Sequence, residues 1–313
     1  MEQPLVFEPL FMERVWGGRR LETLLGKRLP PGVRIGESWE IVDREEYQSV
    51  VHEGPFRGLT LHELWTERRE EVFGRGLPDA FRFPLLFKIL DAQERLSVQV
   101  HPPAEVARRR GGEPKTEVWH LLDALLDSDL YAGLKQGVTR DEFEQAIHEG
   151  LVAGKIHSFR IKAGDTMFIP SGRIHAIGAG NLIVEVQQNS DTTYRVFDWN
   201  RLGLNGKLRE LHVAESLESI NFADAEPCVE QPRGDVLSEC DFFRMEKWTL
   251  TEPRKGPAGE FAVFTVTGGG VACGGRNFQR GDFFLLPSAL SETPIEPLEP
   301  GSSVLRTTIP SAP

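Results

Sequence analysis

The stretch Gly164–His175 reads GDTMFIPSGRIH: a glycine, five residues, a proline, one residue, a second glycine, two residues and a histidine. Gly164-Asp165 suits a tight turn, because glycine tolerates positive φ and the aspartate can bond nearby backbone. Thr166–Ile169 then runs as a short, mostly apolar strand. Pro170-Ser171-Gly172 makes a second turn, which brings His175 to the start of the next strand. A histidine set by two rigid turns suits metal ligation. The same pattern also fits an ordinary strand–turn–strand with a surface histidine, so the choice rests on what lies upstream.

Upstream is Leu96–Pro102, LSVQVHP. In an extended strand, alternate side chains share a face. Ser97, Gln99 and His101 therefore point one way, and Leu96, Val98 and Val100 point the other and pack. In the later run Lys115-Thr116-Glu117-Val118-Trp119, Lys115 and Glu117 again share a face. His101, Glu117 and His175 together offer two imidazoles and one carboxylate, with the Gln99 amide oxygen as a candidate fourth ligand. Two histidines and a carboxylate with an open position serve Zn²⁺ and Fe²⁺ alike.

Composition narrows the remaining classes. At 313 residues the chain has room for two domains, or for one large β domain with an appendage. The net charge of −11, without a basic run carrying interleaved aromatics, argues against a nucleic-acid partner. The opening MEQPLVFEPLF lacks the basic-then-apolar build of a signal peptide. No apolar run approaches the ~20 residues of a membrane span. Cys228, Cys240 and Cys273 are odd in number and form no CxxC, which suits reduced, structural thiols in a cytoplasmic protein.

Along the rest of the chain, short strands alternate with Gly/Pro turns, as in double-sheet jelly rolls. Trp16-Gly17-Gly18-Arg19-Arg20 reads as a turn that allows close backbone approach, its arginines solvated or facing an anion. Periodic Leu61, Leu64, Trp65 and Val72 predict a helix over about 59–75, Pro103–Arg110 predicts a short one, and Thr139–Gly150 a third. Thr139 and Glu142 form a capping box, and Gly150 ends that helix. Glu210–Ile220 also reads as helical. Lys88 lies inside an apolar strand, and Glu185 and Gln187 share a face of another. An arginine in a strand, such as Arg195, is ordinarily a solvated or salt-bridged edge residue, but the polar turn after Gln188 also admits an anion- or oxyanion-directed role. An acidic, proline-containing linker over 224–232 suggests a domain at 1–230 and a second at 231–313. In the second, Gly281–Pro287 repeats the first half of the opening motif, but Ser288-Ala289-Leu290-Ser291 follows in place of the glycine and histidine.

The Gly164–His175 spacing resembles the second motif of cupins. LSVQVHP, KTE, PSGRIHA, QQNSDTTYRV and RELH, in that order, resemble the type I phosphomannose isomerases in their short bacterial form. The resemblance implies a cupin-type double-stranded jelly roll with a few inserted helices and a degenerate, cupin-like C-terminal β unit. It implies one zinc per chain on His101, Glu117 and His175, with Gln99 joining in some members. It also implies Arg195 as a catalytic arginine, Lys115 as a site lysine and Ser97 as a substrate-holding serine. The implied reaction interconverts mannose 6-phosphate and fructose 6-phosphate through a metal-stabilised enediol(ate). It removes a proton beside the carbonyl, and Lys115 is the candidate for that transfer, with Glu185 or a metal-bound water as substitutes. Arg19, Arg20 and Lys88 are candidates for the phosphate. The implied partner is a small sugar phosphate, with the chain a monomer or weak homo-oligomer. Two other readings keep the same site: a non-catalytic sugar-phosphate-binding cupin and an iron-dependent cupin oxygenase. One departure is Asn181, which sits two places later than the asparagine of the general cupin pattern.

Overall fold

The computed structural model describes residues 3–54 and 56–311. The first two residues of the opening stretch and the last two of the C-terminal segment lie outside the described residues. The chain divides into two compact units. One comprises Met1–Leu10, Trp39–Phe87 and Gln231–Pro313, and the other comprises Phe11–Ser38 and Lys88–Glu230. The structure is mainly β, as the dense turn signals imply.

Two sheets hold the opening motif and its upstream partners. The first orders the strands Leu10–Gly18, Ile35–Ile41, Leu85–Ala92, Asn181–Gln188, Glu117–Ala124 and Thr166–Ile169 side by side. The second orders Tyr194–Phe197, Val98–Val100, His175–Ile177, Asp129–Leu134 and Ile156–Arg160. One buried cluster draws Trp16, Leu90, Trp119 and Met167 from the first sheet and Leu130, Ala132 and Ile177 from the second. Two sheets sharing a single apolar interior in this way form a jelly roll. Because side chains alternate, the residues that do not feed this cluster are free to be polar on the same inner faces further along each strand.

The other unit contains a sheet ordered Val236–Glu239, Arg244–Leu250, Ser302–Thr308, Ala262–Gly268 and Phe283–Leu286. A three-stranded sheet has Gly270–Cys273 between Arg276–Gln279 and Glu296–Pro297. Their shared interior is filled by Trp248, Phe264, Phe278 and Phe284, with Val266, Val271 and Val304 around them.

Several local expectations change in the structure. Trp16-Gly17-Gly18 ends a strand and is not a turn. A β-carbon at Gly17 would lie 2.4 Å from the Gly36 nitrogen, so the glycine serves the close approach of two strands. The helix expected over 59–75 is two, Leu61–Glu67 and Arg69–Phe73, broken at Arg68. Thr60 and Glu63 cap the first with a capping box like that of Thr139 and Glu142 on Arg140–Glu149. The helix expected from Glu210 begins only at Val213. His212 is drawn away by the strand before it: its N–H donates to the Arg195 carbonyl at 2.8 Å, and its Nδ1 accepts the Arg195 N–H at 3.1 Å. Asn181 is a structural residue, its side-chain amide donating to the carbonyls of Asp129 and Gly178.

Candidate active site and metal centre

The two sheets bring the sequence's three candidate ligands together. His175 opens its strand, Glu117 opens another on the facing sheet, and His101 follows Val98–Val100. All three are buried, and one ligand atom from each lies within 4.8 Å of the others. The Glu117 carboxylate stands between the rings, 3.5 Å from His101 Nε2 and 3.6 Å from His175 Nε2. Among the described residues this is the one such group of three histidine, cysteine or acidic residues.

Backbone carbonyls fix the tautomers. His101 Nδ1 lies 3.1 Å from the Thr192 carbonyl and His175 Nδ1 2.9 Å from the Arg173 carbonyl. A carbonyl only accepts, so each Nδ1 carries the proton and each Nε2 presents a lone pair. Those two Nε2 atoms are buried without hydrogen-bond partners, and the Glu117 carboxylate between them is met by the Lys115 ammonium at 2.7 Å. An orphaned buried acceptor is costly, and three converging acceptors fit a divalent cation. Burial, with nearby Lys115, lowers the His101 pKa to about 4. Burial also lowers that of His175. Burial alone would raise the Glu117 carboxyl, but Lys115 and His101 hold it well below the usual carboxylate range. The trio is thus neutral, neutral and anionic at ordinary pH, the state in which such groups bind metal.

A chain of alternating charges runs from this centre across the first sheet. Lys115 Nζ lies 2.7 Å from Glu117 and 3.8 Å from Glu185. Lys88 Nζ lies 3.1 Å from Glu185 and 3.9 Å from Glu37, and Arg14 Nε meets Glu37 at 2.9 Å. Arg14, Glu37, Lys88, Glu185 and Glu117 stand on five successive strands of the sheet order. Trp119 Nε1 donates to Glu185 at 3.0 Å. Alternation of sign offsets the desolvation that isolated buried charges would suffer. Burial by itself would lower the Lys115 pKa, but Glu117 and Glu185 outweigh it and raise it, keeping the ammonium form.

On the second sheet, Arg195 and His175 both pair in register with Gln99, so the three side chains leave the sheet on one face. An open pocket of about 550 Å³ adjoins the trio, lined among others by Ser97, Gln99, Lys115, Glu185, Lys88 and Arg195. Arg195 donates through Nη1 to the Glu210 carbonyl at 2.8 Å, while its Nε is buried without a partner. Arg19 and Arg20 are not part of the lining, which corrects their candidacy for the phosphate. Arg19 is spent on the Pro30 and Val33 carbonyls and Glu22, and Arg20 on the Gly180 carbonyl and Asp123.

Sequence reasoning missed the supports. Thr192 and Arg173 act through their carbonyls, which no side-chain pattern advertises. Arg173 is itself clamped by Asp224 through two hydrogen bonds of 2.8 Å. Arg14 and Glu37 carry no motif, and only their places on neighbouring strands signal that they meet. The rim residues Gly203, Leu204, Asn205 and Arg209 line the pocket from an irregular stretch without a motif.

A jelly roll holding a buried two-histidine, one-carboxylate set beside a polar pocket defines a metal-binding cupin. Residues 5–133 match the family model described as phosphomannose isomerase type I, catalytic domain. The mannose-6-phosphate isomerase ManA of Bacillus subtilis (strain 168) is 38% identical over 308 residues, covering 94% of this chain and 96% of that protein. The crystal structure of a mannose 6-phosphate isomerase from Bacillus subtilis is similar at a TM-score of 0.87 and 31% identity, covering 98% of this chain and 100% of that one. A zinc-bound mannose 6-phosphate isomerase structure shares the fold at a TM-score of 0.78 and 14% identity, covering 98% and 99%. The chain belongs to the type I mannose-6-phosphate isomerases.

Proposed function

We propose that this protein is a zinc-dependent isomerase that interconverts mannose 6-phosphate and fructose 6-phosphate. The observation that carries the reading is the convergence of three buried ligand groups, two of them histidine Nε2 atoms left without hydrogen bonds. His101, Glu117 and His175 hold the ion, and Gln99 is the candidate fourth ligand. Bound there, zinc supplies a Lewis acid that polarises the substrate carbonyl and eases negative charge on the neighbouring oxygens.

The chain's own residues do the rest. Moving the carbonyl from C1 to C2 requires the C2 proton to leave, a proton to arrive at C1, and the O2 proton to pass to O1. Lys115 and Glu185 are an ammonium donor and a carboxylate acceptor 3.8 Å apart, lining the same pocket, and we assign the proton transfers to this pair. Arg195 stabilises developing oxyanion charge from the opposite sheet, and Ser97 holds a sugar hydroxyl. Gln99, in register with both His175 and Arg195, links the ion to the arginine side of the pocket.

This reading treats 1–230 as the catalytic domain and 231–313 as a degenerate cupin-like unit. It sets the enzyme in the cytoplasm as a monomer or weak homo-oligomer acting on a small sugar phosphate, without nucleic acid. Its free cysteines, Cys228, Cys240 and Cys273, are consistent with a reducing compartment. Among the described residues, no helix is long and apolar enough to cross a membrane. A coupled assay for fructose 6-phosphate tests the activity. Turnover that disappears with chelation and returns with zinc supports the reading, and a folded, zinc-loaded protein without turnover refutes it.

A further inference from the structure

Five cationic side chains line the pocket: Arg14, Lys88, Lys115, Arg195 and Arg209. The first three interleave with Glu37, Glu185 and Glu117 in the alternating chain and are matched one for one. The opposite rim is not balanced in this way. There a single buried carboxylate, Asp198, receives Arg209 through Nε and Nη2, both at 2.6 Å, and Arg201 through Nη2 at 2.8 Å. Arg195 has no carboxylate within 4 Å among the described residues, and it lies in the fields of Arg209 and Arg201, offset in part by Asp198 and Glu210. Three guanidiniums thus stand against one buried carboxylate. Glu210, the other carboxylate acting on Arg195, is exposed, as are Glu13 and Asp191 of the lining.

The backbone is built to hold this arrangement. Trp199 and Asn200 both adopt positive φ, 56° and 55°, a conformation that costs side-chain-bearing residues energy. They reverse the chain after Asp198, and a small hairpin follows, with Leu202 bridged to Leu208 and Gly203 N–H donating to the Lys207 carbonyl at 2.7 Å. Arg201 and Arg209 flank that hairpin and return to the same aspartate. Burial alone would raise the Asp198 carboxyl, but the hydrogen bonds from Arg209 and Arg201 bring it below its ordinary value.

We propose that Arg209, aimed by Asp198, is the anion subsite that takes the phosphoryl group of the sugar phosphate. Asp198 occupies the Nε–Nη2 edge of Arg209, which leaves Nη1 for a phosphoryl oxygen, and guanidinium donors suit that group's geometry. Arg209 lines the same pocket as Gln99 and Lys115, so one sugar phosphate can meet both the trio's side and this rim. Arg209 is a binding residue and Asp198 a positioning residue. The assignment rests on the isomerase reading above.

The test compares full-length, zinc-loaded wild type with Arg209→Gln, Arg209→Lys and Asp198→Asn. For Arg209→Gln we expect kcat/KM on mannose 6-phosphate to fall about 100-fold, mostly through KM, while any turnover of free mannose changes less than about threefold. Calorimetric titration with inorganic phosphate is expected to weaken at least about tenfold in the same variant. Arg209→Lys should recover part of the phosphate affinity, and Asp198→Asn should raise KM with kcat kept. An equal loss on mannose and mannose 6-phosphate, or unchanged phosphate affinity in folded Arg209→Gln, overturns the subsite. Wild type inactive on mannose 6-phosphate defeats the isomerase reading instead, and the phosphate titration then still decides whether Arg209 holds an anion.

Discussion

Gly164–His175 and Gly281–Glu292 start as the same device and end as different ones. Gly164 and Gly281 share positive φ, 92° and 91°. Asp165 accepts the Lys162 N–H at 2.9 Å, and Asp282 accepts the Gln279 N–H at 2.7 Å, so each aspartate closes the same turn. Both lead into a four-residue edge strand that ends before a proline. The two then part. Gly172, at φ 88°, donates to the His101 carbonyl at 2.8 Å and delivers His175. In the repeat, Ser288–Leu290 coils into a 3-10 turn, and the position of the histidine is an exposed Glu292. Turn chemistry therefore specifies the strand geometry in both regions. The site depends on one further glycine and on what the inner faces carry, which is a polar pocket in one unit and packed aromatic rings in the other.

The largest expected effect separates these roles. His175→Ala should lower isomerase activity by roughly 10³-fold or more and abolish tight zinc binding, with the fold retained by circular dichroism. Phe284→Ala should do the reverse. Phe284 is fully buried and its ring lies 4.1 Å from that of Phe278 and 5.2 Å from that of Phe264. Its truncation should cost about 3–5 kcal/mol of stability by denaturant unfolding, with zinc stoichiometry and kcat of the folded protein unchanged. A loss of zinc in Phe284→Ala would mean that the filled unit contributes to the site after all.

The point at which the two motifs diverge offers a smaller contrast. Gly172→Ala puts a β-carbon at positive φ and 3.1 Å from the Ser219 carbonyl oxygen. We expect a loss of about 1–2 kcal/mol and weaker zinc binding, because the turn that places His175 is strained. Ala289→Gly, at the matching position, should change stability by no more than ~1 kcal/mol and leave zinc affinity alone.

The pH dependence is the gentlest effect. In the metal-free protein His101 titrates at about 4 against 6.5 for the unshifted group, chiefly because it is buried. The unfolded chain therefore binds more protons between those values. The site's contribution to stability is complete above about pH 6.5 and declines as pH falls toward 4, by ~1.4 kcal/mol per unit for this group alone. The depressed Glu117 adds a further loss below its ordinary titration range. Unfolding midpoints of the metal-free protein across this window should show the slope, and His101→Asn should flatten it.

Much of this could be read along the chain, and the reasons are local. Strand alternation alone put Ser97, Gln99 and His101 on one face and Lys115 with Glu117 on another, and the structure has Lys115 and Glu117 2.7 Å apart. The capping box at Thr139 was visible because its two residues are three apart. What stayed hidden depends on neighbours distant in sequence. The Lys88–Glu185 pair joins residues 97 positions apart by number, and nothing local to Lys88 says which way it turns. His212 looked helical until Arg195 claimed its backbone. Arg19 and Arg20 looked like anion binders because the carbonyls that occupy them, at Val33 and Gly180, belong to other segments.

The claim that joins these strands is that two facing sheets converge on one divalent ion that is required for turnover. Chelator-stripped protein, titrated with zinc while fructose 6-phosphate formation is followed, tests it most directly. We predict activity that rises with added zinc and reaches its plateau at one ion per chain. Full activity in the stripped protein, or zinc bound at one per chain with no isomerisation, would contradict it.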